Sequence, residues 1–501
     1  MKLIINEDNS HFYSQKPGKP AEAENIRAFI DQYENTCVTE LFLCVNCMRA
    51  SYDSKIFDPI WKGFDPNGGL GQPYFDSLGE EERKNFYLWP YNANLLNGSG
   101  KNVYCDWIGM CRERKISPWI SMRMNDVHYA HNENHPIHSE FWRHHPERRR
   151  ADYKSGEDNQ LDFGREDVRE YSLAFIREIA DTFDMDGLEL DWMRFGLHFK
   201  PGFEQQGVGI LNQFTRDVRK ILDAAEQKRG HKIGLAARVP SRPGTALGLG
   251  FDACAWACED LVDLLIVTPF FATAETDMPI ELWKQLLRGT KTKLAAGLEI
   301  LIQPHPNTER LFNGMETLRG MAWSYLNRGA DAIYLFNYMH TGKDIDGIAE
   351  LYSEFTAFSD HSGYAAMLNE IGDIEAMRGK NRRHVVTYSD MWAPGEPRGH
   401  LLPAELNSGW SSFRIHIGEA PPKDQKAFAV IGIKAEDGAD AFELRVNGAK
   451  CEKSDFSVRI EPVPPETQHS YEIPPGALHD GHNLVEMCGG RGDLVWVEIN
   501  I

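Results

Sequence analysis

Hydrophobic positions along this chain switch repeatedly between two periods. Short apolar runs with polar exits, the pattern of buried strands, alternate with longer segments whose apolar residues recur every three or four positions, the pattern of amphipathic helices. The strand-like runs are Lys2–Asn6, Val38–Asn46, Ile116–Asp126, Phe183–Phe195, Lys232–Pro240, Asp263–Phe270, Thr292–Ile300 and Asp331–Met339. Helical patterns separate them at Pro20–Asn35, Asn102–Lys115, Arg165–Thr182, Phe203–Gln227, Phe251–Leu261, Glu281–Leu287 and Asn307–Arg328, and helix returns to about Phe358. Eight such alternations are most economically an α/β fold of the closed parallel (β/α)8 barrel type. An open doubly wound sheet would alternate too, but no G-x-G-x-x-G follows the first strand and no phosphate loop is present. After Ser359 to Arg383 the helical pattern stops. Val385–Tyr388, Ser412–Gly418, Phe428–Lys434, Ala441–Asn447, His469–Ile473, Asn483–Met487 and Leu494–Ile501 are strand-like and separated by turn residues, which predicts a smaller antiparallel β-sandwich. The expected organisation is a barrel over 1–360, a linker over 361–383 and a sandwich over 384–501.

The stretch FDMDGLELDWMRF, Phe183 to Phe195, is the one around which candidate chemistry gathers. As a strand it places Gly187, Glu189 and Asp191 on one face and Leu188, Leu190 and Trp192 on the other. The two acids arrive toward the carboxyl end of the strand, the end at which barrels build their active sites. The same end of other strands offers Asn6 and Asp8, then Asn46 and Arg49, then Arg123, Asn125 and Asp126, then Arg194, Arg238, Glu299, and finally Asn337 with Tyr338. Each acid has a plain structural alternative, pairing with a neighbouring arginine, and the four arginines have the same one.

Two long loops enlarge this face. Residues up to Ser77 form a Gly-, Asp- and Pro-rich insertion carrying Tyr52, Trp61, Phe64 and Tyr74, which predicts a packed, ligand-facing loop. The third strand is followed by His128, His131, His135, His138, His144 and His145, with Trp142 and several arginines among them. Their spacing matches no compact metal-ligand motif, so His128 is read as a substrate contact and no metal or other cofactor is expected.

Composition narrows the partners. A formal charge of −20 over 501 residues excludes a general nucleic-acid binder, whose affinity needs lysine and arginine. No apolar run reaches the ~18 residues of a membrane span, and the first residues, MKLIINEDNS, lack a secretory signal, which leaves a cytoplasmic protein or one whose signal has been removed. Nine cysteines are an odd, scattered set; Cys44 and Cys47 form a C-x-x-C without a second pair, so buried free thiols are expected. The sequence leaves oligomeric state open.

The segment LDFGREDVREY, a helix, and then DMDGLELDWMRF resembles the family 10-like glycosyl hydrolases, in which an opening of the type V-R-x-Y leads into a D-G-h-x-h-D-Y-h-R strand. Asp186, Gly187, Asp191 and Arg194 occupy the matching positions, and Trp192 stands where the family often has Tyr. Met193 falls where chitinase-type strands carry their acid, which argues against that mechanism. FELRVNG and HDGHNLVEM resemble the jelly-roll modules often attached to such enzymes. The resemblance implies a hydrolase of O-glycosidic bonds in an oligo- or polysaccharide, working through two carboxyl groups. Asp191 is the candidate nucleophile or base, Glu299 the candidate acid and Glu189 the reserve. Arg49, Arg123, Arg194 and Arg238 around one mouth would suit a sulfated or uronic sugar. Two rivals stay open: a carbohydrate-binding barrel without turnover, and a metal-dependent hydrolase built on the histidine loop.

Overall fold

A computed structural model describes residues 3–14, 18–151, 156–339, 361–434, 442–458 and 467–501. Eight parallel strands close into a barrel in chain order: β1 (Leu3–Glu7), β2 (Val38–Cys44), β3 (Ser117–Arg123), β4 (Gly187–Asp191), β5 (Gly234–Pro240), β6 (Leu264–Thr268), β7 (Lys293–Glu299) and β8 (Ala332–Phe336). β8 pairs with β1 to complete the ring. The barrel strands therefore follow the period-two reading, and no segment changes order. Helices Ala23–Asp31, Val103–Glu113, Glu166–Thr182, Glu204–Arg229 and Met315–Asn327 fill expected places between strands.

The interior has a floor and a polar upper layer. Phe42 and Trp119 stack at 4.9 Å with nearly parallel rings, and Ile4, Ala236, Ile266 and Tyr334 pack with them. Trp119 needs the room that two glycines leave: a Cβ on Gly187 would lie 2.3 Å from its ring, and one on Gly234 2.6 Å. Those side-chain-free positions let one large ring close the barrel below β4, so the acids two and four residues beyond Gly187 stand above a packed, dry floor.

Three segments depart from expectation. Glu80–Asn97 is a long helix with Pro90 inside it, in a region without a helical reading. The start of the expected helix Asn307–Arg328 is instead a short ribbon pairing Leu311–Phe312 with Leu301–Ile302, because Gly314 delays the helix to Met315. The segment expected as a linker carries helices His361–Glu370 and Ile374–Met377, with Met367 and Leu368 buried and the Leu368 carbonyl accepting the Cys37 N–H. Apolar residues with a barrel surface to cover made it part of the barrel's base. The helix expected to reach Phe358 lies outside the described residues.

C-terminal to the barrel, the strand pairs among the described residues are antiparallel and form two sheets around their own core of Phe413, Ile415, Ile431, Leu444, Val485 and Val497. One sheet is centred on Gly492–Asn500 and includes Arg383–Val385; the other contains Ser411–His416, His482–Cys488 and Glu443–Val446. Together with the barrel this is a TIM barrel with a β-sandwich. Among the described residues no helix is long and apolar enough to cross a membrane.

Between Val385 and Leu402 the chain leaves the sandwich sheet and runs as a strap over the loops that follow β4 to β7. The Asp390 carboxylate accepts three consecutive N–H groups of the β6 loop, from Phe270, Phe271 and Ala272, at 2.8, 2.7 and 2.7 Å. Tyr388 donates to Gln303 beyond β7 at 2.6 Å, and Glu396 accepts from Thr245 beyond β5. Met391 lies against Gly196 beyond β4 so closely that a Cβ there would meet its methyl group at 2.3 Å.

Candidate active site

The carboxyl ends of the strands converge on three acids and three arginines. Asp191, at the end of β4, is buried, and its Oδ1 accepts the N–H groups of Met193 and Arg194 at 3.0 and 3.2 Å as the chain turns beneath it. Arg238, from β5, reaches both carboxylate oxygens at 3.2 and 3.3 Å. Arg238 is itself buried, lies 3.7 Å over the Phe336 ring and touches Thr268 of β6. Oδ1 thus carries three contacts and Oδ2 one long one. A buried ion pair of this kind survives because several hydrogen bonds accompany it.

Glu299 ends β7 in a different setting. Its Oε1 accepts the Ile300 N–H at 2.9 Å and the Asn337 amide at 3.0 Å, while Oε2 has no hydrogen-bond partner. Burial pushes its pKa up to about 7 against the pull of Ile300, Arg238 and Asn337. Glu189 lies one layer deeper. Asn6 donates to it at 3.2 Å, Ser121 and the Tyr334 hydroxyl flank it, and burial together with the charge on Asp191 raises its pKa to about 8.

The opposite side of the mouth is organised by Arg123, which pairs with Asp8 and, at 3.0 Å, with Asp126. Burial alone would push the Asp8 carboxyl up, but Arg123 and Arg194 outweigh it and hold it well below the usual range. Arg194 lies over Phe336, contacts Asp8 at 3.3 Å and reaches the side-chain oxygen Oδ1 of Asn337 at 3.4 Å. Asn337 therefore links Glu299 to Arg194. Two of these mouth residues hold left-handed backbone, Asn337 and Phe195, each at φ +63°. Such conformations cost about 1–3 kcal/mol for non-glycine residues and concentrate where function requires a fixed geometry.

Several residues expected to contact a ligand serve the scaffold. Arg49 donates to the carbonyls of His138 and Lys62. Asn125 clamps the backbone of Leu161 and the His198 ring, and Asn46 is tied to the backbone of Arg123. The Tyr338 hydroxyl is held by Asn313 and the Glu299 carbonyl. His128 sits at the rim, its ring on Asp126 at 2.7 Å. The other histidines of its loop diverge: His138 bonds the carbonyls of His128 and Glu133, and His145 pairs with Glu147. Among the described residues no three His, Cys, Asp or Glu side chains gather as a metal-ligand set. Glu275 and Asp277 are spent on Arg242 and on Arg328 with Arg414. Asn6, Asp8, Ser121, Tyr334 and Phe336 belong to the constellation although only the first two had a visible signal, a polar exit from β1.

No protein-family model matches the chain, and no curated protein sequence does. Among solved structures, the chain is similar to a cycloisomaltooligosaccharide glucanotransferase from Paenibacillus sp., at 9% identity and TM-score 0.33 over 99% of this chain and 57% of that one. It is similar to the glycoside hydrolase domain of PgaB (BpsB) from Bordetella bronchiseptica, at 10% identity and TM-score 0.39 over 67% and 93%. It is also similar to the chitinase ChiW from Paenibacillus sp., at 10% identity and TM-score 0.41 over 100% and 54%. The chain spans little more than half the length of the first and last of these. At such identities and TM-scores no residue role or substrate passes from those proteins to this chain.

Proposed function

We propose that this protein is a glycoside hydrolase in which Asp191 acts as the ionised carboxylate and Glu299 as the proton donor. The observation that supports this most directly is the contrast between the two acids on one mouth. Asp191 accepts from Met193, Arg194 and Arg238, whereas Glu299 is buried, keeps one unpartnered oxygen and is raised to about 7. Two acids in such different settings can divide the work of glycoside cleavage. Glu299 Oε2 would give its proton to the departing glycosidic oxygen as that bond to the anomeric carbon breaks. Asp191 Oδ2, the less encumbered oxygen, would attack the anomeric carbon or take a proton from the attacking water. Glu189, a layer below, supports Asp191 rather than reacting.

The arginines favour a neutral substrate over a sulfated or uronic one, since Arg123, Arg194 and Arg238 are already paired with acids and Arg49 with carbonyls. Full burial of all three acids favours a second reading, a saccharide-binding barrel without turnover. Both are tested by turnover on neutral, uronic and sulfated oligosaccharides with the native protein, with Asp191→Asn and with chelator added. Cleavage that falls roughly 10³-fold or more in Asp191→Asn and ignores chelator is the expected result. Binding of oligosaccharide without any cleavage would replace the hydrolase with the binding barrel.

A further inference from the structure

The loops after β1, β2 and β3 enclose a cavity of about 550 Å³ that the carboxylates do not use. That volume is in the range of small-molecule sites, roughly 300–1,000 Å³. Its walls include Ser10, the first turns of helix Glu80–Asn97 with Glu82, Phe86 and Trp89, and the pair Tyr129 and His135. It adjoins the mouth through two connections. Ser10 gives both its N–H and its hydroxyl to Asp8 at 2.9 Å, and Tyr129 directly follows His128, which rests on Asp126.

Tyr129 is fixed in a manner that burial does not explain. Its backbone is left-handed at φ +58°, and its ring lies flat on the His135 ring at 4.1 Å with the planes 5° apart, yet the residue is 43% exposed. A rigid aromatic face at the rim of a cavity suits the flat C–H face of a pyranose. His135 beneath it is buried, and its Nδ1 accepts the Ile137 N–H at 3.2 Å, which leaves the proton of the neutral ring on Nε2. Burial, with His138 alongside, pushes the His135 pKa down to about 3, so the ring stays neutral. Nε2 has no hydrogen-bond partner, and the Glu82 carboxylate stands 3.5 Å from it. The buried ring thus braces one face of Tyr129 and leaves the other face open.

We propose that this cavity is a subsite for a neutral sugar unit remote from the bond cleaved, with the outer face of Tyr129 as stacking platform, His135 bracing that ring from behind, and Glu82 on the wall as acceptor for a sugar hydroxyl. The proposal rests on the hydrolase reading and adds a substrate class to it. Glu81 and Glu82 on the wall repel a uronic or sulfated unit, and the position beyond the mouth calls for a chain of several sugars.

The test uses the full chain carrying Asp191→Asn, so that saccharide is bound and not consumed. Calorimetric titration with cello-, malto- and chito-oligosaccharides of two, four and six units is set beside a galacturonate hexamer. Tyr129→Ala is expected to weaken the neutral hexamer roughly three- to ten-fold while leaving dimer affinity and Tm unchanged; Tyr129→Phe should retain affinity. Equal loss for dimer and hexamer, no loss at all, failure of every neutral probe to bind, or a galacturonate hexamer bound as tightly as the neutral ones would each overturn it. Turnover separates this from the hydrolase reading. Cleavage abolished by Asp191→Asn, with the KM of long substrates unmoved by Tyr129→Ala, keeps the hydrolase and removes the subsite. Length-dependent loss of affinity, with cleavage indifferent to Asp191→Asn, does the reverse.

Discussion

Glu299 and Glu189 are both carboxyls raised by burial, and the two should answer pH in different assays. If Glu299 must carry a proton to release the leaving group, activity falls as pH rises through about 7, the value to which its site lifts it. The alkaline limb of the kcat/KM profile is therefore expected near pH 7, and it should vanish from the residual activity of Glu299→Gln, itself reduced roughly 10²–10⁴-fold. Glu189 enters through stability. Its folded pKa of about 8 lies well above the ordinary glutamate value, so between the two the folded state holds a proton that the unfolded chain has released. Stability contributed by that proton is present at low pH and is lost as pH rises through the window. Glu189→Gln should accordingly gain Tm over the native protein more at pH 9 than at pH 5, by several degrees in a thermal melt; an equal difference at both would mean that Glu189 ionises freely. Sequence alternation put Glu189 and Asp191 on one face, but it could not say that one would be neutral and the other paired. That distinction comes from Arg238, Asn6 and Ser121, which reach them from three other strands.

The barrel strands were legible because each is a compact apolar run with its own polar exit, and the register then follows from ring closure. Helix Glu80–Asn97 was not, since FYLWPYNANLL spreads aromatic residues around the helix instead of along one stripe and holds a proline that ordinarily ends a helix. The strap was the least visible element. Val385–Tyr388 reads as a strand, but the strand observed is Arg383–Val385, and from Ser389 to Leu401 the chain has neither period; its meaning lies in Asp390, an acid with no local partner in sequence and three N–H donors in space. Removing that carboxylate leaves three half-buried N–H donors without it, each costing less than the about 1–3 kcal/mol of a fully buried donor. Asp390→Ala should lower Tm by several degrees, and amide exchange at Phe270, Phe271 and Ala272 should rise ahead of the rest of the barrel. Exchange that rises uniformly would deny the strap a local role.

At the level of the whole chain, the arginines show where reading a sequence stops. Four of them at strand exits looked like a subsite for anionic sugar, yet pairing across the barrel depends on side-chain reach between strands far apart in sequence, and Asp8 and Asp191 claimed three of them. The same interleaving ties the sandwich to the barrel. A fragment ending at residue 382 retains all eight barrel strands and loses Asp390, Met391 and Glu396; it should melt well below the full chain and lose turnover, as scanning calorimetry and assay on the same oligosaccharides would show. An equally stable, equally active fragment would make the sandwich dispensable. The order of pieces along the chain has one more implication. Arg383–Val385 is paired into the sandwich sheet, the strap that follows lies on the loops at the carboxyl ends of the barrel strands, and the rest of the sandwich comes afterwards. No single breakpoint in the gene can then hand either unit, whole, to another protein, so recombination or domain grafting must cut twice or carry the two as one inheritance.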